Sequence, residues 1–321
     1  MRALLIVNPH ATATTPLRRD VIVSALASEF DLEVVETRYR GHAGALAAGA
    51  ANDRRDLVIT LGGDGTVHEA VNGLMAGPDG QDQADGRQAA GTAGERPALA
   101  PLPGGNANVF TRALGLPADP INATGRVLAA VSARRARRIG LGLAGDRYFT
   151  CSAGLGIDAE VVRAIEGLRA AGRRVSDALY LWTTLRQYYA ATDRRHPALT
   201  LERDGHPPVG RVFLGVVSNT APWTYLGHRA LNPSPLASFD SGLDLFALRR
   251  LRTVSTLNMV RQMLSGKTRP PNGRYVLSLH DQAGFTLRSD RPMALQVDGE
   301  YVGERESVLF RSVPRALRVM S

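Results

Sequence analysis

The feature that most constrains this chain is a repeated local pattern: a short apolar run, then a turn rich in glycine or asparagine, then helical spacing. Leu4–Val7 runs into Asn8-Pro9, and Leu57–Leu61 into Gly62-Gly63-Asp64-Gly65-Thr66. Leu99–Leu102 runs into Pro103-Gly104-Gly105-Asn106. Continuous apolar runs suit parallel strands buried on both faces, whereas a strand with one wet face alternates. Between the runs, residues 16–29 and Ala-rich 42–52 read as helices, and 32–36 reads as a further strand. After Asp64, Val67, Ala70, Val71 and Leu74 recur at helical spacing. The strand–helix alternation predicts a doubly wound parallel sheet with helices on both faces.

Residues 77–97, rich in Gly, Asp and Gln, lack large apolar side chains and read as a flexible insert. Residues 106–132 suit one or two helices. From about 140 the character changes. Short alternating segments at 147–153, 197–203, 210–217, 243–249, 274–280, 284–288, 293–297 and 305–310 predict an antiparallel sandwich, interrupted by helices near 158–190 and 254–265. A length of 321 residues also favours two domains. They are expected at 1–135 and 136–321, the last residues being candidates to return to the first.

The chain has 39 basic and 30 acidic residues, a formal charge of +9, and Lys267 is its one lysine. Such a surplus suits nucleic acid, anionic lipid or phosphate-bearing partners. No stacking-aromatic RNA signature accompanies it, so nucleic acid is not an expected partner. The single cysteine, Cys151, excludes an intramolecular disulfide framework or a Cys-cluster zinc site, and reads as a small core residue. Ala3–Val7 is too short for a signal peptide, and no apolar run reaches the ~18 residues of a spanning helix.

Gly62 to His68 sits after a buried strand and opens a helix. Glycines admit a ligand close to the backbone, and the helix start favours phosphate. Asp64 would repel phosphate unless a cation intervenes or it bonds backbone N–H groups or a ribose. A tight turn with a capping Asp64 is the structural alternative. In the loop after 99–102, Asn106 and Asn108 could bond a base or ribose, or one could be an N-cap. The loop Asn8-Pro9-His10-Ala11-Thr12 belongs to the same edge, with His10 read as a solvated side chain. Asp298-Gly299-Glu300 ends an apolar strand. It could hold Mg²⁺ or accept a proton, or be a hairpin turn. Two lures fail. Ser265-Gly266-Lys267-Thr268 lacks the Walker glycine, since Arg261 stands there, and Gly154-Leu155-Gly156-Ile157-Asp158-Ala159 lies outside any βαβ unit.

In this order, Asn8-Pro9, Gly62–Thr66, Pro103-Gly104-Gly105-Asn106-Ala107-Asn108-Val109-Phe110, Gly154–Asp158 and Asp298-Gly299-Glu300 resemble the diacylglycerol kinase catalytic-domain family. These are bacterial soluble lipid kinases related to sphingosine kinases. The resemblance implies an N-terminal ATP-binding α/β domain and a C-terminal β-sandwich supplying catalytic groups, with the phosphates in a cleft between them. It places the nucleotide on Asn8 and its loop through Thr12, on Thr37, on Gly62, Gly63, Asp64, Gly65, Thr66 and His68, and on Asn106. Gly105 and Asn108 join them from the last loop. Glu300 resembles the general base, Asp298 its companion, and Asp64 a member of the acidic network around the reacting Mg²⁺. The family often has Thr at the position of Asn106 and Asp at that of Val109. A structural Mg²⁺ loop of several relatives corresponds to Phe239-Asp240-Ser241-Gly242-Leu243-Asp244, with Ser241 in place of a liganding aspartate. The ion is expected there only if Asp240 or Asp244, with Leu243 between them, substitutes.

The resemblance therefore implies ATP-dependent phosphorylation of a lipid hydroxyl, most simply diacylglycerol to phosphatidic acid. A sphingoid-base kinase, an NAD-kinase-like soluble-substrate kinase and a nucleotide-binding regulator are the alternatives. The expected location is cytoplasmic, at the inner face of the membrane, and a homodimer is left open. Arg163, Arg169, Arg173 and Arg174, with Ile165 and Leu168, are candidates for the anionic-membrane face. A solvated arginine-rich helix is the alternative.

Overall fold

A computed structural model describes residues 1–76, 96–170, 179, 196–227, 229–266 and 268–321. The chain divides into two compact units, Met1–Leu141 with Pro314–Ser321, and Gly142–Val313. The insert expected at 77–97 lies outside the described residues, apart from Arg96 and Pro97, which lead into a strand.

Unit 1 alternates β1 (Arg2–Val7), α1 (Pro16–Ala27), β2 (Asp31–Glu36), α2 (His42–Asn52), β3 (Leu57–Gly62), α3 (Asp64–Met75) and β4 (Ala98–Pro103). Then follow α4 (Val109–Ala113) and α5 (Pro120–Ser132). The sheet is parallel in the order β2-β1-β3-β4, and Val319 of the returning terminus pairs with Leu99 of β4. Every residue of β3 and β4 is buried, whereas edge strand β2, reading Asp-Leu-Glu-Val-Val-Glu, is largely exposed. The apolar runs thus mark the inner strands. On one face, Leu5, Val7, Ile59, Leu61 and Leu102 pack with Ile22 and Leu26 of α1 and Ala123 and Val127 of α5. Burying each large aliphatic side chain contributes about 1.5–3 kcal/mol, and these contacts hold the helix layer to the sheet. Helices α2 and α3 pack on each other so closely that a Cβ on Gly73 would lie 2.1 Å from the Gly44 carbonyl oxygen. Two helix starts follow local rules. Thr15 caps α1 and Asp119 caps α5, each with proline at the first helical position.

Unit 2 is mainly antiparallel. Its elements are β5 (Ala136–Ala144, entering from unit 1), β6 (Arg147–Phe149), β7 (Ser152–Gly156), α6 (Ile157–Ala170), β8 (Leu199–Arg203), β9 (His206–Val212) and β10 (Leu214–Ser218). There follow β11 (Thr224–Leu226), β12 (Arg229–Leu231), β13 (Leu243–Leu248), α7 (Thr253–Met263), β14 (Val276–Gln282), β15 (Gly284–Val297) and β16 (Glu300–Met320). The segments expected at 284–288 and 293–297 are one strand. Its first half pairs with β8 through Thr286–Ser289 and its second with β7 through Leu295–Val297. The register shift between Arg288 and Met293 takes up Pro292, which has no N–H to give a ladder. Because β15 changes partner midway, strands on both sides enclose one core of Phe149, Leu155, Leu201, Leu245, Leu287 and Phe310. This is the antiparallel sandwich. Conversely, the single strand expected at 147–153 breaks into β6 and β7, for a reason that lies in the site.

Candidate active site

In unit 1 the loops after β1, β3 and β4 all leave the carboxyl edge of the sheet, and hydrogen bonds join them. Asn8 Nδ2 donates to Thr66 Oγ1 at 3.1 Å, and the Asn8 amide donates to the Leu61 carbonyl at 2.9 Å. The Gly104 amide donates to the Gly62 carbonyl at 2.7 Å, and the Ala13 amide to the Gly104 carbonyl at 2.8 Å. The loop after β2 joins through the Thr37 amide, which donates to the Val7 carbonyl at 2.8 Å. Asp64 is the first residue of α3, and its Oδ1 accepts the amide of Phe110, in the first turn of α4, at 3.1 Å. Asp64 therefore performs one of the roles open to it in sequence: it bonds a backbone N–H and ties one strand-end loop to the next.

Three expectations change here. Gly104 and Gly105 serve loop-to-loop packing: a Cβ on Gly104 would lie 2.8 Å from the Gly62 amide nitrogen, and one on Gly105 would lie 2.6 Å from Gly63 Cα. Asn108 is 7% exposed and left-handed, and it exchanges two hydrogen bonds with the Gly105 backbone, so it staples the loop instead of facing a base. His68 is 2% exposed, on the inner side of α3, and is not presented to a ligand. Asn106 and Thr12 are exposed, while Asn8, Thr37, Gly63, Asp64, Gly65 and Gly105 are half-buried. The first turn of α3, whose N–H groups lack intrahelical partners, starts among them.

Sequence reasoning assigned no role to Glu69. Its carboxylate accepts the amides of Gly41 at 2.7 Å and Ala43 at 3.1 Å, capping α2, whose own N-cap Gly41 offers no side chain. No local signal marks this contact, because its partners lie 26 and 28 residues away.

In unit 2 the Asp-Gly pair is the hairpin turn between β15 and β16. Val297 pairs with Glu300, and Asp298 and Gly299 have φ of 48° and 81°, as a two-residue I′-type loop requires. Asp298 is therefore not a free companion acid on Glu300's face. Its Oδ2 accepts the Thr150 amide at 2.7 Å and hydroxyl at 2.9 Å, and its Oδ1 accepts the amides of Cys151 at 2.8 Å and Ser152 at 3.0 Å. These three consecutive amides turn onto one carboxylate, which is why the chain breaks between β6 and β7. Asn219, fully buried, donates to the Thr150 carbonyl at 2.9 Å, and Gln296 accepts the Gly299 amide at 2.8 Å. Beyond the turn, Glu166 of α6 accepts the Tyr301 amide at 3.1 Å. Glu300 thus sits, half-buried, between a fastened turn and a fastened neighbour.

The loop considered for a structural Mg²⁺ makes several hydrogen bonds to protein groups. Asp244 is 3% exposed, and its Oδ1 meets His280 Nδ1 at 2.7 Å and the Asp281 amide at 3.1 Å. Burial pushes its carboxyl above the ordinary value, while the Asp281 amide and His280 act in the opposite direction. Ser241 Oγ bonds Ser238, and the Gly242 amide bonds Asp281 Oδ1. Oδ1 of Asp244 is therefore already engaged by protein groups. Among the described residues no cluster of three metal-ligating side chains occurs.

The membrane face expected on α6 also changes. Ile165 is 2% exposed and Leu168 packs against the same core, so their apolar sides face inward. Arg163 pairs with Glu160 and with Glu304, the latter at 3.0 Å. Arg173 and Arg174 lie outside the described residues, as does the Arg169 side chain. Cys151 is buried. The Gly154-Leu155-Gly156 stretch lies in β7, antiparallel to β10 and β15.

Together these features define a two-unit α/β protein whose parallel sheet carries a glycine-rich edge. Residues 2–142 match the family model described as the diacylglycerol kinase catalytic domain. The chain is 25% identical over 311 residues to a diacylglycerol kinase of Staphylococcus carnosus (strain TM300), covering 94% of this chain and 90% of the relative. It is 28% identical over 288 residues to a diacylglycerol kinase of Bacillus subtilis (strain 168), covering 83% and 78%. A crystal structure of a diacylglycerol kinase from Bacillus anthracis str. Sterne has the same fold over 99% of this chain and 96% of its own, with a TM-score of 0.68 and 20% identity. Residues 2–142 are thus similar to the diacylglycerol kinase catalytic domain, and most of the chain is similar to proteins of that name.

Proposed function

We propose that the protein is an ATP-dependent lipid kinase that converts diacylglycerol to phosphatidic acid. The observation that carries this reading is the hydrogen-bonded block of strand-end loops around the start of α3, in a chain similar to diacylglycerol kinases. Backbone N–H groups at that helix start, with Asn8 and exposed Asn106 nearby in the fold's edge, suit ATP phosphates and ribose. Asp64 is the carboxylate of this edge fitted to the oxygen shell of a divalent cation; Mg²⁺ would supply neutralisation of phosphate charge.

Glu300 is the proposed general base. The acceptor oxygen forms a bond to the γ-phosphorus as its proton passes to the Glu300 carboxylate. The bond from that phosphorus to the β–γ bridging oxygen breaks, and ADP leaves. Asp298, Gln296 and Glu166 act on the reaction by holding the turn and Tyr301, the residue after Glu300. The acceptor lives in a bilayer, while among the described residues no helix is long and apolar enough to cross one. The enzyme on this reading meets its substrate from the ATP-bearing side of the membrane, as a peripheral protein.

The test is an assay with ATP and Mg²⁺ across four conditions: diacylglycerol, a sphingoid base, NAD, and no acceptor. ADP release that depends on diacylglycerol and yields phosphatidic acid is expected. Turnover with NAD alone, or no acceptor-dependent turnover at all, overturns the proposal. A preference for the sphingoid base overturns the choice of acceptor.

A further inference from the structure

Helix α7 has two faces. At about 100° per residue, Val254, Leu257, Asn258 and Arg261 fall on one side, and Met259 and Met263 on the other. The methionine side is fixed by packing with Val161 and Ile165 of α6 and with Phe246 and Leu251. The opposite side is left to solvent although it carries large aliphatic side chains beside Asn258 and Arg261: Val254 is 81% exposed, Leu257 61% and neighbouring Val260 38%.

The charge around this stripe is of one sign. From Arg249 to Arg274 the sequence contains six arginines and Lys267, and no aspartate or glutamate. All six arginines are exposed. Among the described residues none of them forms an ion pair, unlike Arg19, Arg55, Arg163 and Arg288, which each meet a carboxylate. Their contacts are neutral. Arg250 donates to the Tyr275 hydroxyl at 2.8 Å and lies over that ring, with Arg274 over the same ring, and Arg261 donates to Asn258. Arginines stand before the helix, on it and after it, so the positive charge spreads over a surface.

We propose that the outer face of α7 docks on an anionic lipid bilayer, its three aliphatic side chains entering the acyl boundary and the arginines meeting lipid phosphates. A lipid surface is chosen over an acidic protein because the acceptor of the proposed reaction resides in a bilayer; the inference rests on that reading.

Binding is measured by vesicle flotation of the full chain without ATP or acceptor, on phosphatidylcholine alone and on phosphatidylcholine mixed with phosphatidylglycerol. Wild type is expected to float with the anionic vesicles and to detach in high salt. Val254→Ser with Leu257→Ser should lower partition at least tenfold. Arg252→Gln, Arg261→Gln and Arg269→Gln together should lower it on the order of 100-fold, at about fivefold per arginine. Thermal melting of both variants should match wild type, since every changed side chain is exposed. Phosphorylation of a short-chain, detergent-dispersed diacylglycerol should also be unchanged. Undiminished flotation of both variants overturns the proposal, as does a wild type that ignores lipid charge. A change of oligomeric state by light scattering, with flotation intact, assigns the face to a second copy and also overturns it. If the kinase reading alone is wrong, flotation behaves as stated while dispersed diacylglycerol is not phosphorylated.

Discussion

Both units turn their chain with Asp-Gly at the end of an apolar strand, yet the two turns are held in different ways. In unit 1, Asp64-Gly65 opens a helix after a parallel strand, and the shape depends on backbone packed against backbone. Gly104 and Gly105 have no room for a Cβ because the loop after β3 fills it, and Gly62 has none because Thr66 of its own turn does. In unit 2, Asp298-Gly299 reverses an antiparallel strand, and the shape depends on one carboxylate receiving four hydrogen bonds. The first turn keeps its helix start available by leaving side chains out. The second spends its aspartate on structure, and the proposed base is the neighbouring Glu300. An Asp-Gly pair in sequence therefore does not say whether the acid is a ligand, a cap or a staple.

The largest effect should come from breaking the second turn. Asp298→Ala leaves three amides of a buried segment without their acceptor and puts alanine at a left-handed φ. A loss of about 3–5 kcal/mol in urea unfolding is expected, with activity lost through the fold. Glu300→Gln separates chemistry from structure. Unfolding should stay within about 0.5 kcal/mol of wild type while kcat falls on the order of 10²–10⁴-fold, read by ADP release. Wild-type turnover in that variant would remove Glu300 from the mechanism.

Gly104→Ala tests the first turn. Its Cβ would meet the Gly62 amide nitrogen and Thr14 Oγ1, each within 2.9 Å. A cost of about 1–3 kcal/mol is expected, together with a raised KM for ATP, because the loops must move apart. A variant with normal stability and normal KM would show that the loops do not depend on close packing. The smallest effect concerns the loop at Asp244. Since His280 and the Asp281 amide both take Oδ1 of its carboxylate, the melting temperature of the nucleotide-free protein should be the same in EDTA and in Mg²⁺. A clear rise with Mg²⁺ would restore the structural ion.

Much of unit 1 could be read along the chain, because buried parallel strands must be unbroken apolar runs. The run Leu57–Leu61, the helix 42–52 and the turn after Leu61 all lie in the structure within a residue or so of their expected places. The partners of the polar side chains could not be read. Asn108 staples Gly105 three residues back, but Glu69 reaches α2 across 26 residues and Asp298 reaches Thr150 across 148. Side-chain facing on α6 is hidden from the sequence for a related reason. Ile165 and Leu168 beside arginines suit a membrane face or a core face equally, and packing against Phe213 and Phe246 makes them core. Helix α7, with a similar mix of residues, turns its methionines inward and leaves Val254 and Leu257 outside.

By itself the sequence determined the parallel unit, the antiparallel unit and the turns that end their strands, because hydrophobic period and glycine position act over a few residues. It also determined the ordered motifs that carry the likeness to diacylglycerol kinases. Tertiary structure alone decided which carboxylate becomes a staple and which apolar face is left to solvent. Those outcomes depend on hydrogen bonds and contacts between segments far apart in the chain, and no local pattern encodes them.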